Sequence, residues 1–319
     1  MAVFTHVTPE KLGEFLSDYD VGAVRSFEGI AEGVENSNYK LKTETGTYIL
    51  TLYEKRVRER DLPFFLGFMD FIAERGVKSA RPIRNKDGTT LATLCGRPAA
   101  LIEFLDGRSA SPPSIVQTRD AGKALAGLHL ASTNFPKSRT NELGPKSWPQ
   151  LLATAAPRAN EVQEGLGNLI KTHLAETLVE WPNDLPSGVI HADLFPDNVL
   201  FTGDQVSGLI DFYFACTDSY TYDLAVMINA WCFAADGTFE VEKSAALIAG
   251  YQSVRKLTSA ERASLPKLAR GAALRFILTR LNDWLNHDPA ALVTPKDPLA
   301  LLPHLRFHAN AESPSAYGV

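Results

Sequence analysis

Cysteine is scarce in this 319-residue chain, with only Cys95, Cys216 and Cys232. An odd count without metal-ligand spacing excludes a disulfide framework and a thiolate metal site, and reads as buried thiols in a reducing cytoplasm. Long apolar runs are missing: none nears the roughly 18 residues a membrane-spanning helix needs. The N-terminus MAVFTHVTPEKLGEF lacks a basic segment followed by an apolar one, so a secretory signal is not expected. There is no excess of positive charge either. The 32 Lys and Arg against 37 Asp and Glu leave a formal charge of −5, which disfavours broad nucleic-acid binding. No G-x-x-x-x-G-K-[ST], G-x-S-x-G or H-E-x-x-H segment occurs, which removes P-loop, serine-hydrolase and zincin readings. Internal repeats and low-complexity segments are also absent.

What is present is an ordinary soluble composition, 45% hydrophobic and 22% charged, long enough for about two domains of ~150 residues. Thr8-Pro9-Glu10 predicts a capped helix running to about Tyr19. Strand patterns follow at 21–27, 37–43 and 48–53, the last two joined by a Glu44-Thr45-Gly46 turn. Leu62, Phe65, Leu66, Met69 and Ile72 recur at helical spacing and predict a helix over 61–75. A hairpin turning at Asn85–Gly88, with a second strand reaching Leu94, and a strand over 98–104 complete a sheet-rich N-terminal part. Gly107-Arg108-Ser109-Ala110-Ser111-Pro112-Pro113 has loop composition. Beyond it helices are predicted at 116–131, 148–156, 158–180, 221–234, 240–254 and 259–286. A small β unit (189–191, 199–201, 206–210) lies among them, and the tail from Asn310 is expected to fray. The fold class expected is α+β in two lobes: 1–104 with an antiparallel sheet and one inserted helix, and a larger, mainly helical 105–319.

The most informative stretch is Val189-Ile190-His191-Ala192-Asp193-Leu194-Phe195-Pro196-Asp197-Asn198, followed by Ile210-Asp211-Phe212. An Asp five residues before an Asn is the spacing of the kinase loop H-R-D-x-x-x-x-N, and Asp211, 13 residues beyond Asn198, stands where a D-F-G aspartate would. Phosphoryl transfer needs one carboxylate facing the acceptor hydroxyl, and a second carboxylate with an amide oxygen to hold Mg²⁺ at the triphosphate. Any single acid here reads equally as a turn or cap residue. The joint pattern is what points to the chemistry.

On these residues, and on Tyr222-Asp223-Leu224-Ala225, the chain resembles the aminoglycoside-phosphotransferase-like kinases along nearly its whole length. More narrowly, it is similar to the bacterial homoserine kinases among them. Gly46–Arg56, Asp61–Leu66, Gly96–Leu101, His191–Phe201 and Ala273–Phe276 carry that likeness. The resemblance implies a two-lobe protein-kinase-like fold, ATP and Mg²⁺ as cofactors, and L-homoserine as the small-molecule partner, phosphorylated on its side-chain hydroxyl toward threonine. It implies Asp193 as catalytic base, Asn198 and Asp211 as metal ligands, and Asp223 as a brace for the loop. No nucleic-acid or membrane partner is expected, and the oligomeric state is unknown.

The segment from Gly29 through Gly33 to Asn38 lies between two strands, as a phosphate-covering loop should, although an ordinary turn explains it as well. Glu103, Phe104 and Leu105 would form the hinge that meets adenine; an apolar inter-lobe strand accounts for the same residues. One departure stands out. The third-strand position that carries a phosphate-binding Lys in kinases is Thr51 here, so Lys40, Lys42, a residue of Glu54-Lys55-Arg56, or metal alone must serve. For the acceptor, residues 240–319 carry ten Lys and Arg against seven Asp and Glu, which counts against a polycationic substrate. Arg275 and Arg280 lie in an otherwise apolar helix and suit a carboxylate, or else an ion pair, with Asp283 a candidate partner of Arg275. Tyr213, Asn229 and Trp231 are further pocket candidates, and His129 reads as a satisfied core histidine. Another hydroxyl acceptor such as choline or a methylthio-sugar, and a nucleotide-binding pseudokinase, are the alternatives.

Overall fold

The structure, a computed structural model, describes residues 4–30, 36–54, 57–287 and 294–319. The chain divides into two compact units, Met1–Gly107 with Ser207–Tyr213, and Arg108–Val206 with Phe214–Val319. The passage out of the first unit falls three residues beyond the expected 104, and a short later segment returns to that unit.

In the first unit, helix α1 (Pro9–Leu16) begins at the Thr8 cap, whose Oγ1 accepts from Lys11 N at 3.4 Å. Strands β1 (Val24–Gly29), β2 (Ser37–Thr43) and β3 (Thr47–Leu52) are followed by helix α2 (Leu62–Ala73), β4 (Ala92–Leu94) and β5 (Arg97–Glu103). The five strands form one antiparallel sheet in the order β1-β2-β3-β5-β4. Side chains alternate along a strand, so Ser37, Tyr39, Leu41 and Thr43 are buried while Lys40 and Lys42 take the other face. Leu41, Leu50, Leu52 and Leu101 pack with α1 residues into one core.

The expected hairpin about Asn85–Gly88 is corrected. The turn forms, with Gly88 N donating to Asn85 O at 2.9 Å. The residues before it, however, bond to β5, with Ile83 N on Leu101 O at 2.7 Å. The hairpin instead joins β4 to β5 through Cys95-Gly96, at φ 51° and 72°. Two consecutive left-handed residues suit the twist of a two-residue hairpin loop. That turn also places Cys95 on the surface, correcting its expected burial, whereas Cys216 and Cys232 are buried.

The segment Ser207–Tyr213 joins the first unit by strand pairing. Leu209 N donates to Lys78 O at 2.8 Å, and Ser79 pairs with Leu209 in parallel. Ser207 Oγ donates to Asp106 O at 2.6 Å. A Cβ on Gly208 would lie 2.5 Å from Leu105 Cδ1, so any larger residue here would have to displace the Leu105 side chain.

The second unit holds β6 (Arg108–Ser109), α3 (Ile115–Ala131), α4 (Trp148–Ala155), α5 (Leu166–Leu178), β7 (Ser187–Ile190) and β8 (Val199–Thr202). β9 (Gln205–Leu209) then leads the chain into the first unit, and β10 (Cys216–Ser219), α6 (Tyr220–Trp231), α7 (Val241–Val254), α8 (Ser259–Leu285) and α9 (Leu302–Asn310) follow. β7 pairs with β10 and β6 with β8, both antiparallel. β6, β10 and α9 were not anticipated from the sequence. Helix α6 is buried at nearly every position, Asp223 and Asn229 included, so those polar side chains need partners inside the fold. The helix expected over 158–180 begins only at Leu166, because Gly165 at φ 74° interrupts it after a 3₁₀ turn at Ala156–Glu161. The tail does not fray. Tyr317 is fully buried and its Oη meets His308 Nδ1 at 2.9 Å, so one terminal aromatic with a buried polar partner docks the end. No described helix is long and apolar enough to cross a membrane.

Candidate active site

The loop after β7 carries Asp193. Its entry is tight: Ala192 has φ 62°, a left-handed conformation that costs a non-glycine residue about 1 kcal/mol or more. Directional bonds hold it there. Asp223, fully buried on α6, accepts His191 N at Oδ2 (2.7 Å) and Ala192 N at Oδ1 (2.8 Å). Its Oδ2 also meets His129 Nε2 at 3.0 Å, while His129 Nδ1 lies 2.7 Å from Tyr251 Oη. A neutral ring satisfies both partners, donating from Nε2 and accepting at Nδ1. Burial pushes the Asp223 carboxyl up, but the His129 hydrogen bond and the neighbouring His129 and His191 hold it below the ordinary value. Burial keeps His129 below its ordinary value despite Asp223. The core-histidine reading of His129 and the bracing reading of Asp223 both match this geometry.

The other carbonyls of the loop are also engaged. Asp193 O accepts from Phe195 N and from Asn198 Nδ2, each at 2.8 Å. Leu194 O accepts from Trp231 Nε1 at 2.8 Å, and Ala192 O from Arg275 Nη1 at 2.8 Å. Asn198 ends a 3₁₀ turn that begins at Pro196. With its amide nitrogen on Asp193 O, its Oδ1 is the atom that could serve a cation, a hard oxygen donor of the kind Mg²⁺ takes. The Asp193 carboxylate is raised from its ordinary value by burial, with the charges of Arg275, His191 and Lys296 pulling the other way. Arg275 Nη1 lies 3.6 Å from Asp193 Oδ1. The expected Arg275–Asp283 partnership is corrected: eight residues along a helix span about 12 Å, and the carboxylate that faces Arg275 is Asp193.

In the first unit, Asp211 is exposed just past the end of β9 and takes φ 63°, a region Asp tolerates better than most residues. Apolar neighbours fix the chain beyond it. The Phe212 ring meets Phe68 edge-on at 6.0 Å, and Tyr213 meets Phe65 at 5.9 Å and Tyr53 at 5.2 Å. The Tyr213 and Tyr53 hydroxyls are 2.9 Å apart, and burial pushes both well above the ordinary tyrosine value.

The nucleotide candidates fall as follows. Gly29 closes β1 opposite Tyr39, and Gly33 lies outside the described residues. Thr51, in the lysine position, is buried and donates its hydroxyl to Asn38 Oδ1 at 2.8 Å. Lys40 Nζ sits 4.0 Å from the centroid of the Phe104 ring. Lys55 and Arg56 are outside the described residues. Glu103 N and Phe104 N already donate to Arg81 O (2.8 Å) and Thr47 O (3.2 Å). Leu105 packs at Gly208.

Among the acceptor candidates, Trp231 is buried behind the loop. Asn229 is buried with Nδ2 on Ala225 O and Ala269 O (3.0 and 2.9 Å) and Oδ1 3.2 Å from His308 Nε2. Arg280 is half-buried and donates to Asp297 O at 3.4 Å. Tyr213 belongs to the aromatic set of the first unit. The structure thus groups Asp193, Asn198, Trp231 and Arg275, and separately Asp211 and Tyr213. The bracing roles of Trp231 and Arg275 had no sequence signal, since their partners lie 37 and 83 residues away.

Comparison with known proteins gives a consistent picture. Residues 26–257 match the phosphotransferase enzyme family. The homoserine kinase of Methylobacterium radiotolerans is 56% identical over 318 residues, covering 100% of this chain and 99% of that protein. That of Rhizobium meliloti is 54% identical over 319 residues, covering 100% and 98%. Two solved structures share the fold at 14% identity. They are an amicoumacin kinase, in complex with AMP-PNP, Ca²⁺ and Ami (TM-score 0.70, covering 96% of this chain and 95% of that one), and a spectinomycin phosphotransferase with ADP and spectinomycin (TM-score 0.68, covering 99% of each). With its α+β fold, its braced H-x-D-x-x-x-x-N loop and these full-length relatives, the chain belongs to the phosphotransferase enzyme family and, within it, to the homoserine kinases.

Proposed function

We propose that this protein transfers the γ-phosphoryl group of ATP to the side-chain hydroxyl of L-homoserine, giving O-phospho-L-homoserine. The observation that carries the reading is the fixed loop His191–Asn198 in a chain that matches homoserine kinases end to end. Asp193 orients the hydroxyl and takes its proton. Burial raises this carboxylate and brings it toward the range of a useful general base, and Arg275 keeps it from rising further. Hydrogen bonds to Asp223 and from Asn198, Trp231 and Arg275 set the loop's direction without substrate, so catalysis rests on alignment.

Asn198 through Oδ1 and Asp211 through its carboxylate are the proposed oxygen donors for Mg²⁺. When bound, the ion offsets the negative charge of the triphosphate. We assign nucleotide binding to the N-terminal lobe, with Gly29, Gly33 and Asn38 at the phosphates and Glu103–Leu105 at the adenine. Because the Glu103 and Phe104 N–H groups are engaged, an adenine edge would be read by Leu105 or by carbonyls of this segment. Arg280 is the candidate for the substrate carboxylate, on a lobe whose charge suits an amino acid better than a polycation. A cytoplasmic location accords with the free thiols.

The test is ATP turnover in Mg²⁺ buffer with L-homoserine, with L-serine, L-threonine, choline and kanamycin as comparison acceptors. ADP release that depends on L-homoserine, with O-phosphohomoserine as product, is expected. Turnover with another acceptor alone would move the substrate but keep the chemistry. ATP binding without transfer to any acceptor would favour a pseudokinase.

A further inference from the structure

The kinase pattern H-R-D places an arginine immediately before the catalytic aspartate. Here that position is Ala192, whose methyl has no polar group to brace the loop and which sits at φ 62°. A guanidinium is nevertheless present, supplied from α8. Arg275 is 3% exposed. Its Nη1 donates to Ala192 O at 2.8 Å and lies 3.6 Å from Asp193 Oδ1. Its flat face covers the Phe276 ring at 4.0 Å, and the Phe214 ring lies at 5.5 Å. On the two preceding peptides, Asp223 takes the N–H groups of His191 and Ala192.

The strained Ala192 is therefore held by a carboxylate on its N–H and a guanidinium on its C=O. A fork that received a substrate carboxylate would need two of the three guanidinium nitrogens open to the ligand. Arg275 is buried, has one nitrogen on a backbone carbonyl, and is faced by aromatic rings. We infer that Arg275 is a positioning residue, which fixes the Ala192 carbonyl and thereby the direction of the Asp193 carboxylate, and not a group that binds the acceptor. The inference rests on the kinase reading above for its kinetic consequence, though not for its structural one.

The test uses Arg275→Met, which keeps the apolar stem and removes every donor, and Arg275→Lys, which restores one charged donor. Steady-state kinetics with ATP and L-homoserine should show kcat down about 100-fold in Arg275→Met, the cost of misplacing a reacting group by an ångström or so. KM for L-homoserine should stay within about twofold, and Arg275→Lys should recover part of kcat at the same KM. A rise in KM with kcat retained would assign Arg275 to the substrate and overturn the inference, as would two variants with wild-type kinetics. If the Met variant does not fold, the kcat and KM of Arg275→Lys decide between the same outcomes.

Amide hydrogen exchange over residues 192–195 gives an answer that needs no acceptor: it should quicken in the variants and stay unchanged around Ser207–Tyr213. Unchanged exchange at 192–195 overturns the inference even if L-homoserine is not the substrate. Wild-type inactivity toward L-homoserine sinks only the substrate assignment.

Discussion

Asp193 and Asp211 are linked by the sequence pattern, yet their backbones are held by different physics. Both stand beside or at a left-handed non-glycine residue, Ala192 in one case and Asp211 itself in the other. Around Asp193, successive peptide groups are matched by buried polar side chains: Asp223, Arg275, Trp231 and Asn198. Around Asp211, the chain leaves a paired strand and is followed by rings packed on Phe65, Phe68 and Tyr53. A loop that must hold strained dihedrals needs partners with direction, because apolar packing resists displacement but specifies peptide orientation weakly. A strand end inherits its direction from the ladder and needs only to be pressed in place. The polar clamp should therefore fail abruptly when one member is lost, and the aromatic clamp by degrees.

Removing the carboxylates themselves gives the largest expected effect. Asp193→Ala should lose at least about 100-fold in kcat, the usual minimum for a general base, and Asp211→Ala should be similarly inactive. Asp211→Ala should keep wild-type thermal melting, since that side chain is exposed, whereas Asp193→Ala should fold but melt lower, because it leaves the buried Arg275 without the carboxylate that faces it. Near-normal turnover in either would sink the assigned roles. Next comes Asp223→Ala, which leaves the His191 and Ala192 N–H groups and His129 without their buried acceptor. A loss of about 3–5 kcal/mol of stability is expected, as for breaking a buried charged network by deleting one partner, read from urea denaturation. A loss below about 1 kcal/mol would mean that the clamp is not cooperative.

The polar clamp was only half legible in the sequence. His191, Asp193 and Asn198 sit at a short recurring spacing and Asp223 in a Tyr-Asp-Leu-Ala segment, so these positions could be singled out beforehand; the brace expected of Asp223 is seen, while the bond from Asn198 to the Asp193 carbonyl was not foreseen. Arg275 and Trp231 could not be placed, because a guanidinium or indole reaching a backbone carbonyl from a distant helix leaves no local pattern. The return of Ser207–Tyr213 to the first unit was hidden for a related reason. β9 reads as half of a local hairpin, and its pairing with residues 78–80 depends on tertiary contact. Long helical segments such as α2, α7 and α8 fell within a residue or two of expectation. The misplaced hairpin shows two turn signals competing: Asn85–Gly88 does turn, but the strand partner was settled by Cys95-Gly96.

Acid sharpens the comparison further. His129, His304 and His308 are buried in the second unit and are held below their ordinary values chiefly by burial, His304 at about 4. In the unfolded chain a histidine binds its proton near 6.5. Below that pH the unfolded state therefore binds more protons, and their contribution to stability falls as pH drops from about 6.5 toward 4. Urea midpoints for wild type and His304→Gln should converge with acidification over that window. A constant difference from pH 7.5 to 4.5 would contradict the burial argument. Hydrogen exchange should loosen α9 before Ser207–Tyr213, whose clamp carries no histidine.

The smallest effect tests the aromatic clamp. Tyr213→Phe keeps the ring against Phe65, Phe68's neighbour Phe212 stays in place, and only the hydroxyl that meets Tyr53 is lost. One neutral hydrogen bond is worth about 1 kcal/mol net, so a loss near that size is expected in urea denaturation. If packing directs this segment, the ring alone keeps Asp211 in place, and kcat should change little while Tyr213→Ala lowers both stability and kcat. A Tyr213→Phe variant as inactive as Asp211→Ala would show that the hydroxyl pair steers the carboxylate. The two acids would then be held by the same kind of directional bond after all.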